Sequence, residues 1–326
     1  MNKFILLFVL IPGFLKAQSF HPAPGNPNSI AIKKDSSCFV AWASGGTVSR
    51  GFLDISDTTV QINGSNKASF GNLNSALGPA TGSITDVLSL GDSGIATLSF
   101  DQFIMDGPGY DFAIFENGFA DNYIELGHVE VSSDGIHFFR FPSTTEIPLT
   151  VQSSNGSYTD CLMIDNLAGK YRVGYGTPFD LNILPNDPDL NKYAVKFVRV
   201  IDAIGAVSGN HTTSDQFGTI INDPFPTPFE SGGFDLEAIG VINGTLGLND
   251  LQILNVNAFP NPATDQIQIT LEGEARLEFY SQDGRLLLTR NHLDSSIISL
   301  DEFSSGIYNL LVVQNGKQQN LSFMKN

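Results

Sequence analysis

Short runs in which apolar and polar residues alternate recur along the whole chain, and turn-forming residues separate them. One run extends from Asp111 to Glu116 and carries a carboxylate at each end. After an Asn117-Gly118 turn, the segment His128–Val131 places two valines on one side and a histidine and a glutamate on the other. A repeat of two residues is typical of half-buried β-strands. This stretch therefore predicts a β-sheet core with acidic, glycine-bearing loops at its rim.

Turn signals predict how the strands connect. Ser133-Asp134-Gly135 predicts a hairpin, because Asp-Gly accepts the positive φ angles of a two-residue turn, with a return strand over 136–141. Residues 87–100 predict two strands around a Gly-Asp-Ser-Gly turn, and Cys38–Trp42 predicts a buried strand.

Alternation is cleanest over residues 195–204. It places Val195, Phe197, Arg199 and Ile201 on one face and Lys196, Val198, Val200 and Asp202 on the other. No window of useful length combines a 3.6-residue repeat with helix caps, so few helices are expected. The chain holds 25 Phe and 32 Gly among these short runs, which favours an all-β sandwich.

The beginning of the chain predicts export. Residues 1–17 combine Lys3, the apolar run Phe4–Leu10 and a small residue before Gln18, as signal peptides do. That apolar run is too short to span a bilayer, and no other stretch approaches a membrane-spanning length. We therefore expect passage into the periplasm and no transmembrane segment.

Two folded units are expected after the signal peptide. Residues 18–245 predict the large β-sandwich, and the strand 238–242 closes it. Residues 246–253 predict a linker. Residues 254–326 contain seven short alternating runs and an Asp283-Gly284 turn, which suit a small second β-sandwich.

Charge restricts the partners. The formal charge is −17, and removal of Lys3 and Lys16 with the signal peptide makes it −19. Nucleic acid is excluded as a natural partner, because phosphate binding needs clustered Lys and Arg. The acidity is explained either by solubility of an exported protein or by carboxylates that bind calcium.

Two cysteines, Cys38 and Cys161, remain after removal of the signal peptide. An even number in an oxidising compartment allows one disulfide, which would close a long loop. The sequence alone does not establish that they meet.

The last unit resembles the type A C-terminal sorting domain of the type IX secretion system of Bacteroidota. The matching segments are 259–263, 277–284 and 304–313, in order and at the C-terminus. The resemblance implies secretion or display at the cell surface, with the type IX machinery as a partner. In that family the domain is a secretion address and does no chemistry on its cargo.

The large domain is similar to a family of exported bacterial surface proteins. The matching segments are 43–51, 89–94, 107–112, 115–119, 129–141, 166–171, 174–180 and 221–242. The segment 129–135 also resembles the hairpin of galactose-binding-like jelly rolls, so a jelly-roll form of the sandwich is expected. Glu237 stands where the exported family usually has a second Asp after Gly-Phe-Asp-Leu.

Catalytic signatures are sparse. The chain contains no GxSxG, HExxH, CxxC or P-loop motif, and its five histidines lack the spacing of metal ligands. A glycosidase needs two carboxylates at a fixed separation. Asp111, Glu116, Asp223 and Asp235 could supply them, but so could chance among 34 acids. Catalysis is therefore the less favoured reading.

The same four acids predict a structural calcium site. Calcium prefers carboxylate and carbonyl oxygens that converge from turns. Asp111 and Glu116 bracket one strand, and Asp223 and Asp235 lie in loops of the closing segment. The alternative is that these aspartates cap turns through their own backbone.

Aromatic residues accompany these loops. Tyr110, Phe119, Tyr123 and Tyr175 could form a platform on which a sugar or another ring stacks. The alternative is that they belong to the core. We therefore expect a secreted or surface-bound protein that captures a carbohydrate or small extracellular ligand, within a nutrient-uptake system. A glycan hydrolase and a structural surface or matrix protein are the alternatives.

Overall fold

The computed structural model describes residues 20–157, 159–244, 254, 256–282, 284–314 and 317–326. The predicted signal peptide (1–17) and linker (246–253) lie outside these residues. The protein is all-β as predicted, and the helices among the described residues are short 3-10 turns at Leu73–Ala76, Cys161–Met163 and Leu181–Ile183. The chain divides between Leu246 and Gly247 into two compact units.

The large unit is a sandwich of two antiparallel sheets. The first sheet contains β1 (Ile32–Lys33), β2 (Ala41–Trp42), β4 (Leu88–Ser89), β6 (Phe112–Glu116), β11 (Tyr175–Phe179) and β13 (Asp235–Val241), in the order β1-β11-β6-β13-β2 with β4 also on β13. The second contains β3 (Gly45–Ser49), β5 (Ile95–Ile104), β7 (Gly127–Ser132), β8 (Phe139–Arg140) and β12 (Val195–Asp202), in the order β3-β5-β12-β7-β8. β9 (Thr144–Thr145) and β10 (Ile164–Asp165) form a separate pair.

One hydrophobic core joins the two sheets. Phe112 and Ile239 of the first sheet and Leu98 and Val200 of the second belong to a single cluster of fully buried residues. Burial of each such side chain contributes about 1.5–3 kcal/mol. The inward faces of both sheets therefore hold the sandwich together, and this leaves the strand ends and loops free for function.

The predicted strands around the central turn are confirmed as β6 and β7. Val129 and Val131 face the core, as the alternation requires. The opposite face of β7 is also covered, because Glu130 accepts hydrogen bonds from Arg140 at 2.8 and 3.0 Å and from Arg199 at 3.2 Å. The polar side of this strand is thus an ion-pair network and not an open surface.

Two details of the predicted strands are wrong. The return strand is only Phe139–Arg140, because the Asp134 carboxylate accepts the N–H groups of Ile136 and His137 and extends the turn. In β12 the register shifts between Val195 and Phe197, so Val195 lies in the core with Val198 instead of on the opposite face.

The expected disulfide is not formed in the structure. Cys38 and Cys161 are both free thiols. Cys38 lies next to β2 and accepts a hydrogen bond from Ser36 Oγ, while Cys161 begins a 3-10 turn and packs in a cluster with Ile164 and Tyr171. Different local partners therefore hold the two sulfurs.

The second unit is one sheet folded on itself. Its strands are β14 (Asn257–Phe259), β15 (Gln266–Ser281), β16 (Leu286–Ser299), β17 (Gly306–Gln314) and β18 (Lys317–Lys325). β15 pairs with β14 in its first half and with β17 in its second, and the pairing with β16 is interrupted between Thr270 and Glu274. Residues of both halves share one core, which makes the unit a small sandwich.

His128 on β7 makes stability depend on pH. Its ring is buried, and neither nitrogen has a hydrogen-bond partner among the described residues. Burial, together with the charge of Arg140, lowers the pKa of His128 from 6.5 to about 4. The unfolded chain binds this proton below pH 6.5 and the folded chain does not, so stability falls as the pH drops through that range.

We expect this histidine alone to reduce the free energy of unfolding by roughly 3 kcal/mol between pH 7 and pH 4. In a His128→Gln variant that part of the pH dependence should disappear from urea unfolding curves. A His137→Gln variant, which removes an exposed histidine of the same hairpin, should retain it. Equal pH profiles for wild type and His128→Gln would contradict the assignment.

Candidate functional site

Carboxylates gather at one end of the sandwich, where strands of both sheets begin and end. Glu116 ends β6 beside the start of β13 at Asp235, and Asp202 ends β12 beside the start of β7. Glu125 comes just before β7. We refer to six buried acids at this end as the buried acid cluster: Asp92, Glu116, Glu125, Asp202, Asp223 and Asp235.

Hydrogen bonds connect part of this cluster through backbone and amide groups. Asp202 accepts from the backbone N–H of Phe234 at 2.7 Å and of Ser93 at 2.9 Å. Asp235 accepts from Asn117 Nδ2 at 3.0 Å and from Ser89 Oγ. Both oxygens of these two aspartates are therefore used in fixing the loops to each other.

The remaining members are poorly satisfied. Asp223 Oδ2 accepts from the Leu126 N–H at 3.2 Å, and Glu116 Oε2 accepts from the Gly118 N–H at 2.8 Å. Glu116 Oε1 is buried without a hydrogen-bond partner in the described part of the chain. The Glu125 carboxylate likewise accepts no hydrogen bond from a described residue, although the residue is only 8% exposed. A fully buried oxygen without a hydrogen-bond partner, such as Glu116 Oε1, is costly.

The electrostatics of the cluster follow from burial and mutual repulsion. Burial, and then the charges of Glu125 and Asp235, raise the pKa of Glu116 well above its usual value. Burial, together with the charges of Asp235 and Asp202, likewise raises the pKa of Glu125. Burial and the charge of Glu125 raise the pKa of Asp223. Glu125 and Asp202 each interact electrostatically with several other members of the cluster.

The pKa values of the other three acids of the cluster are raised less. Burial raises the pKa of Asp202 to about 7 and those of Asp92 and Asp235 to about 6. Their hydrogen bonds oppose this effect, and Asp235 also lies near the guanidinium of Arg50. Arg50 itself donates to the carbonyl oxygens of Phe70 at 2.9 Å and Gly71 at 2.7 Å.

The four acids predicted to bind calcium do not lie together. Glu116, Asp223 and Asp235 belong to the buried acid cluster, but Asp111 lies at the opposite end of β6. Asp111 accepts N–H groups from Gly107 at 2.8 Å and Leu181 at 2.7 Å, and Asn243 donates to it at 3.0 Å. It caps loops, as the alternative interpretation expects.

Asp111 nevertheless has two acidic neighbours. One carboxylate oxygen each of Asp106, Asp111 and Asp180 lies within 4.8 Å of the others. Three N–H donors already bind the two oxygens of Asp111, so these hydrogen bonds compete with a cation at this second group.

Two of the predicted ligand-binding aromatics pack against each other, the exposed Phe119 and the half-buried Tyr123. Phe119 is 60% exposed, and its ring centroid lies 5.2 Å from that of Tyr123 in the loop between β6 and β7. The loop also carries Asp121, which pairs with Arg172 at 3.3 Å. The Arg172 guanidinium lies 4.6 Å from the centre of the Tyr175 ring, so Tyr175 is linked to the same surface.

Tyr110 is separate from this surface. It is half-buried, and burial together with the charges of Asp165 and Asp180 raises its pKa, which places it near the Asp111 end. An open cleft of about 690 Å³ adjoins the exposed loop, and its lining includes Ala120, Asp121, Asn122, Thr159 and Asp160.

Sequence reasoning missed Glu125, Asp202 and Asp92 as members of the cluster, and Arg172 as a neighbour of the aromatic surface. One signal was present: the alternation over 195–204 puts Asp202 on the same face as Val198 and Val200. A carboxylate on a core face is unusual and predicts a buried, partnered acid.

Comparison with protein families identifies the second unit. Residues 257–326 match the Secretion system C-terminal sorting domain. This is the module predicted from the segments 259–263, 277–284 and 304–313, and it indicates that the protein is cargo of the type IX secretion system. The sorting domain implies export, to the cell surface or into the medium. No described helix has the length and apolarity to span a membrane.

A search among curated proteins found no relative. Among solved structures, β-glucuronidase from Ruminococcus gnavus aligns in its apo form and in complex with uronic isofagomine, each at 9% identity and a TM-score of 0.18. These alignments cover 71% of this chain and 35% of the glucuronidase, so the chain spans about a third of that enzyme. A TM-score this low carries no argument, and the resemblance of the large domain to exported surface proteins stays a prediction.

Proposed function

We propose that the large unit is a non-catalytic binding module that captures an extracellular carbohydrate or another ring-bearing small molecule after type IX export. The observation that carries this proposal is the exposed ring of Phe119, which packs against the half-buried ring of Tyr123. An aromatic ring that is mostly in water contributes little to folding, whereas it offers a flat apolar face to a sugar ring.

The surroundings of the pair support a polar, ring-shaped ligand. Asp121 and Arg172 provide hydrogen-bonding groups beside the rings, and the adjoining cleft is open enough for a small saccharide. Tyr123 donates its hydroxyl to Asn155 Oδ1 at 2.8 Å, which fixes the ring in place before a ligand arrives. A fixed platform loses less entropy on binding.

Burial argues against the hydrolase alternative. The acids with the most strongly raised pKa, Glu116, Glu125 and Asp223, are all less than 10% exposed. A glycosidase must place both carboxylates against the substrate. Capture in a nutrient-uptake system therefore fits the exposed aromatic surface better than glycan cleavage.

The test is a glycan-binding screen with the full chain, followed by titration of the best ligand. Phe119→Ala should weaken its Kd about tenfold, which corresponds to about 1.4 kcal/mol, because the stacking face is lost. Phe217→Ala is the matched control, since Phe217 is 75% exposed in another loop of the same unit, and it should bind as wild type does.

Both variants should melt as wild type does, because neither ring belongs to the core. Loss of binding in both variants, or in neither, would contradict the platform at Phe119. Release of cleaved sugar during the screen would instead favour the hydrolase, and a chain that binds no glycan or small molecule would favour a structural role.

A further inference from the structure

Two open clefts lie side by side on the large unit. The first, of about 690 Å³, adjoins the loop 119–123 that carries the exposed aromatic ring. The second, of about 320 Å³, is lined in part by the segment 147–153. Thr159 and Asp160 line both clefts. Because they share these two wall residues, the clefts meet, and a ligand that enters the first can extend into the second.

Hydrogen bonds hold the shared wall of the two clefts in place. The Thr159 N–H donates to the carbonyl oxygen of Asn122 at 2.7 Å, which ties the wall to the loop of the first cleft. The Asp160 carboxylate accepts the Leu162 N–H at 2.9 Å and caps the 3-10 turn Cys161–Met163. The wall is therefore formed before a ligand arrives, and binding does not have to order it.

A buried asparagine shapes the second cleft. Asn222 belongs to its lining and is only 2% exposed. The amide group of Asn222 donates to the carbonyl oxygens of Pro148 and Val151 at 2.7 and 2.8 Å and accepts the Ser153 N–H at 2.9 Å. One side chain thus fixes three points of this loop. Val151, which also lines the cleft, is 74% exposed and is presented to solvent in a fixed position.

The chemistry of the lining favours an uncharged polar ligand. Hydroxyl and amide side chains are its most frequent members, beside apolar groups such as Val151 and Met163. Its charged residues are Asp121 and Asp160, no Lys or Arg of the described chain belongs to it, and the nearby Arg172 is paired with Asp121 at 3.3 Å. Carboxylates accept hydroxyl donors and repel anions. A sugar chain offers such hydroxyl groups together with apolar C–H faces.

We propose that the two clefts form one groove that binds a chain of several uncharged sugar residues. This inference rests on the proposed function, which places one sugar ring on Phe119, and it specifies the ligand as an oligosaccharide. Each cleft alone falls within the range of about 300–1,000 Å³ that holds a small ligand, so the two together exceed the room that one stacked ring needs. A longer chain gains contacts in the second cleft and keeps those at Phe119.

The test compares oligosaccharides of increasing length. Ladders of two to six residues of β-1,4-linked glucose, xylose or mannose, of α-1,4-linked glucose, and of any further glycan that the screen identifies are titrated into the full chain by calorimetry. For the ladder that binds, the Kd should fall by about tenfold or more from the two-residue to the six-residue member. Galacturonic acid oligomers of the same length, which are anionic, should bind about tenfold more weakly.

Thr150→Ala combined with Val151→Ala is the decisive variant, because both residues are exposed and both line the second cleft. It should weaken binding of the six-residue ligand about tenfold, leave the two-residue ligand unchanged and melt as the wild type does. Phe119→Ala should weaken both ligands. Leu149→Ala is the matched control, an exposed neighbour outside the lining, and it should bind every length as the wild type does.

The outcomes separate the groove from the aromatic platform. A Kd that ignores ligand length but responds to Phe119→Ala would overturn the groove and leave the proposed function in place. Equal effects of the double variant and of Leu149→Ala would also overturn the groove. Absence of binding to every ladder would overturn both proposals. Tighter binding of uncharged hexapeptides than of any ladder would overturn the oligosaccharide in favour of a peptide partner.

Discussion

Chains that end before residue 257 should accumulate in the periplasm and be almost absent from the cell surface and the medium. The reason is that residues 257–326 match a secretion sorting domain and form part of a separate compact unit with its own core. Their removal takes away the export address without opening the core of the large unit. Cell fractionation and immunoblotting against the large unit measure the distribution.

The control tests whether the truncated chain folds. The shortened chain should melt cooperatively and resist protease as the large unit of the full chain does, so a change of location is not a consequence of degradation. The reciprocal experiment attaches residues 257–326 to an unrelated periplasmic protein, which should then appear outside the cell. Normal surface delivery of the truncated chain would contradict the role of the sorting domain.

Gly169→Ala should destabilise the large unit by more than about 4 kcal/mol, a loss that point substitutions rarely cause. Gly169 has a φ of +84°, and an added Cβ would lie 1.8 Å from the carbonyl oxygen of Glu125. That backbone cannot yield easily, because Gly127 and Ala168 exchange two hydrogen bonds of 3.1 and 2.9 Å beside it. Urea unfolding measures the change.

Gly174→Ala is the matched control for this substitution. Gly174 has a nearly equal φ of +80° but open space where the Cβ would stand. This variant should be destabilised only by the cost of a left-handed backbone conformation for alanine, about 1–2 kcal/mol. Similar losses for the two variants would show that the Glu125 segment does not pack against Gly169.

The sequence predicts a strand well where one buried face sets the alternation of apolar and polar residues. β6, β7 and the pair β4 and β5 follow from alternation and turn residues, which are local properties. The register shift at Val195 is different: the residue is moved to the core by its pairing with β5, and the alternation of β12 alone gives the opposite face. Pairing of distant strands is not visible in one segment.

The site was only half predictable for the same reason. Glu116 and Asp235 belong together because β6 and β13 are antiparallel neighbours. Asp111 and Glu116 cannot share an ion directly, since a strand of this length separates its ends by roughly 16 Å. Glu125 was missed because nothing local distinguishes it from a solvent-exposed acid. Only the fold places Glu125 near the other carboxylates of the cluster.

The lengths of the outermost strands have a consequence for association. In the large unit the border strands β1, β2 and β8 are two residues long and β3 is five, so each presents few free backbone groups to another chain. In the sorting domain, β16 extends over 14 residues and, among the described strands, pairs with β15 alone. A partner that adds a strand to a sheet edge therefore finds a long template in the sorting domain and almost none in the cargo. The large unit can therefore reach a high local concentration without edge-to-edge aggregation, while the edge strand β16 of the sorting domain stays accessible to a partner.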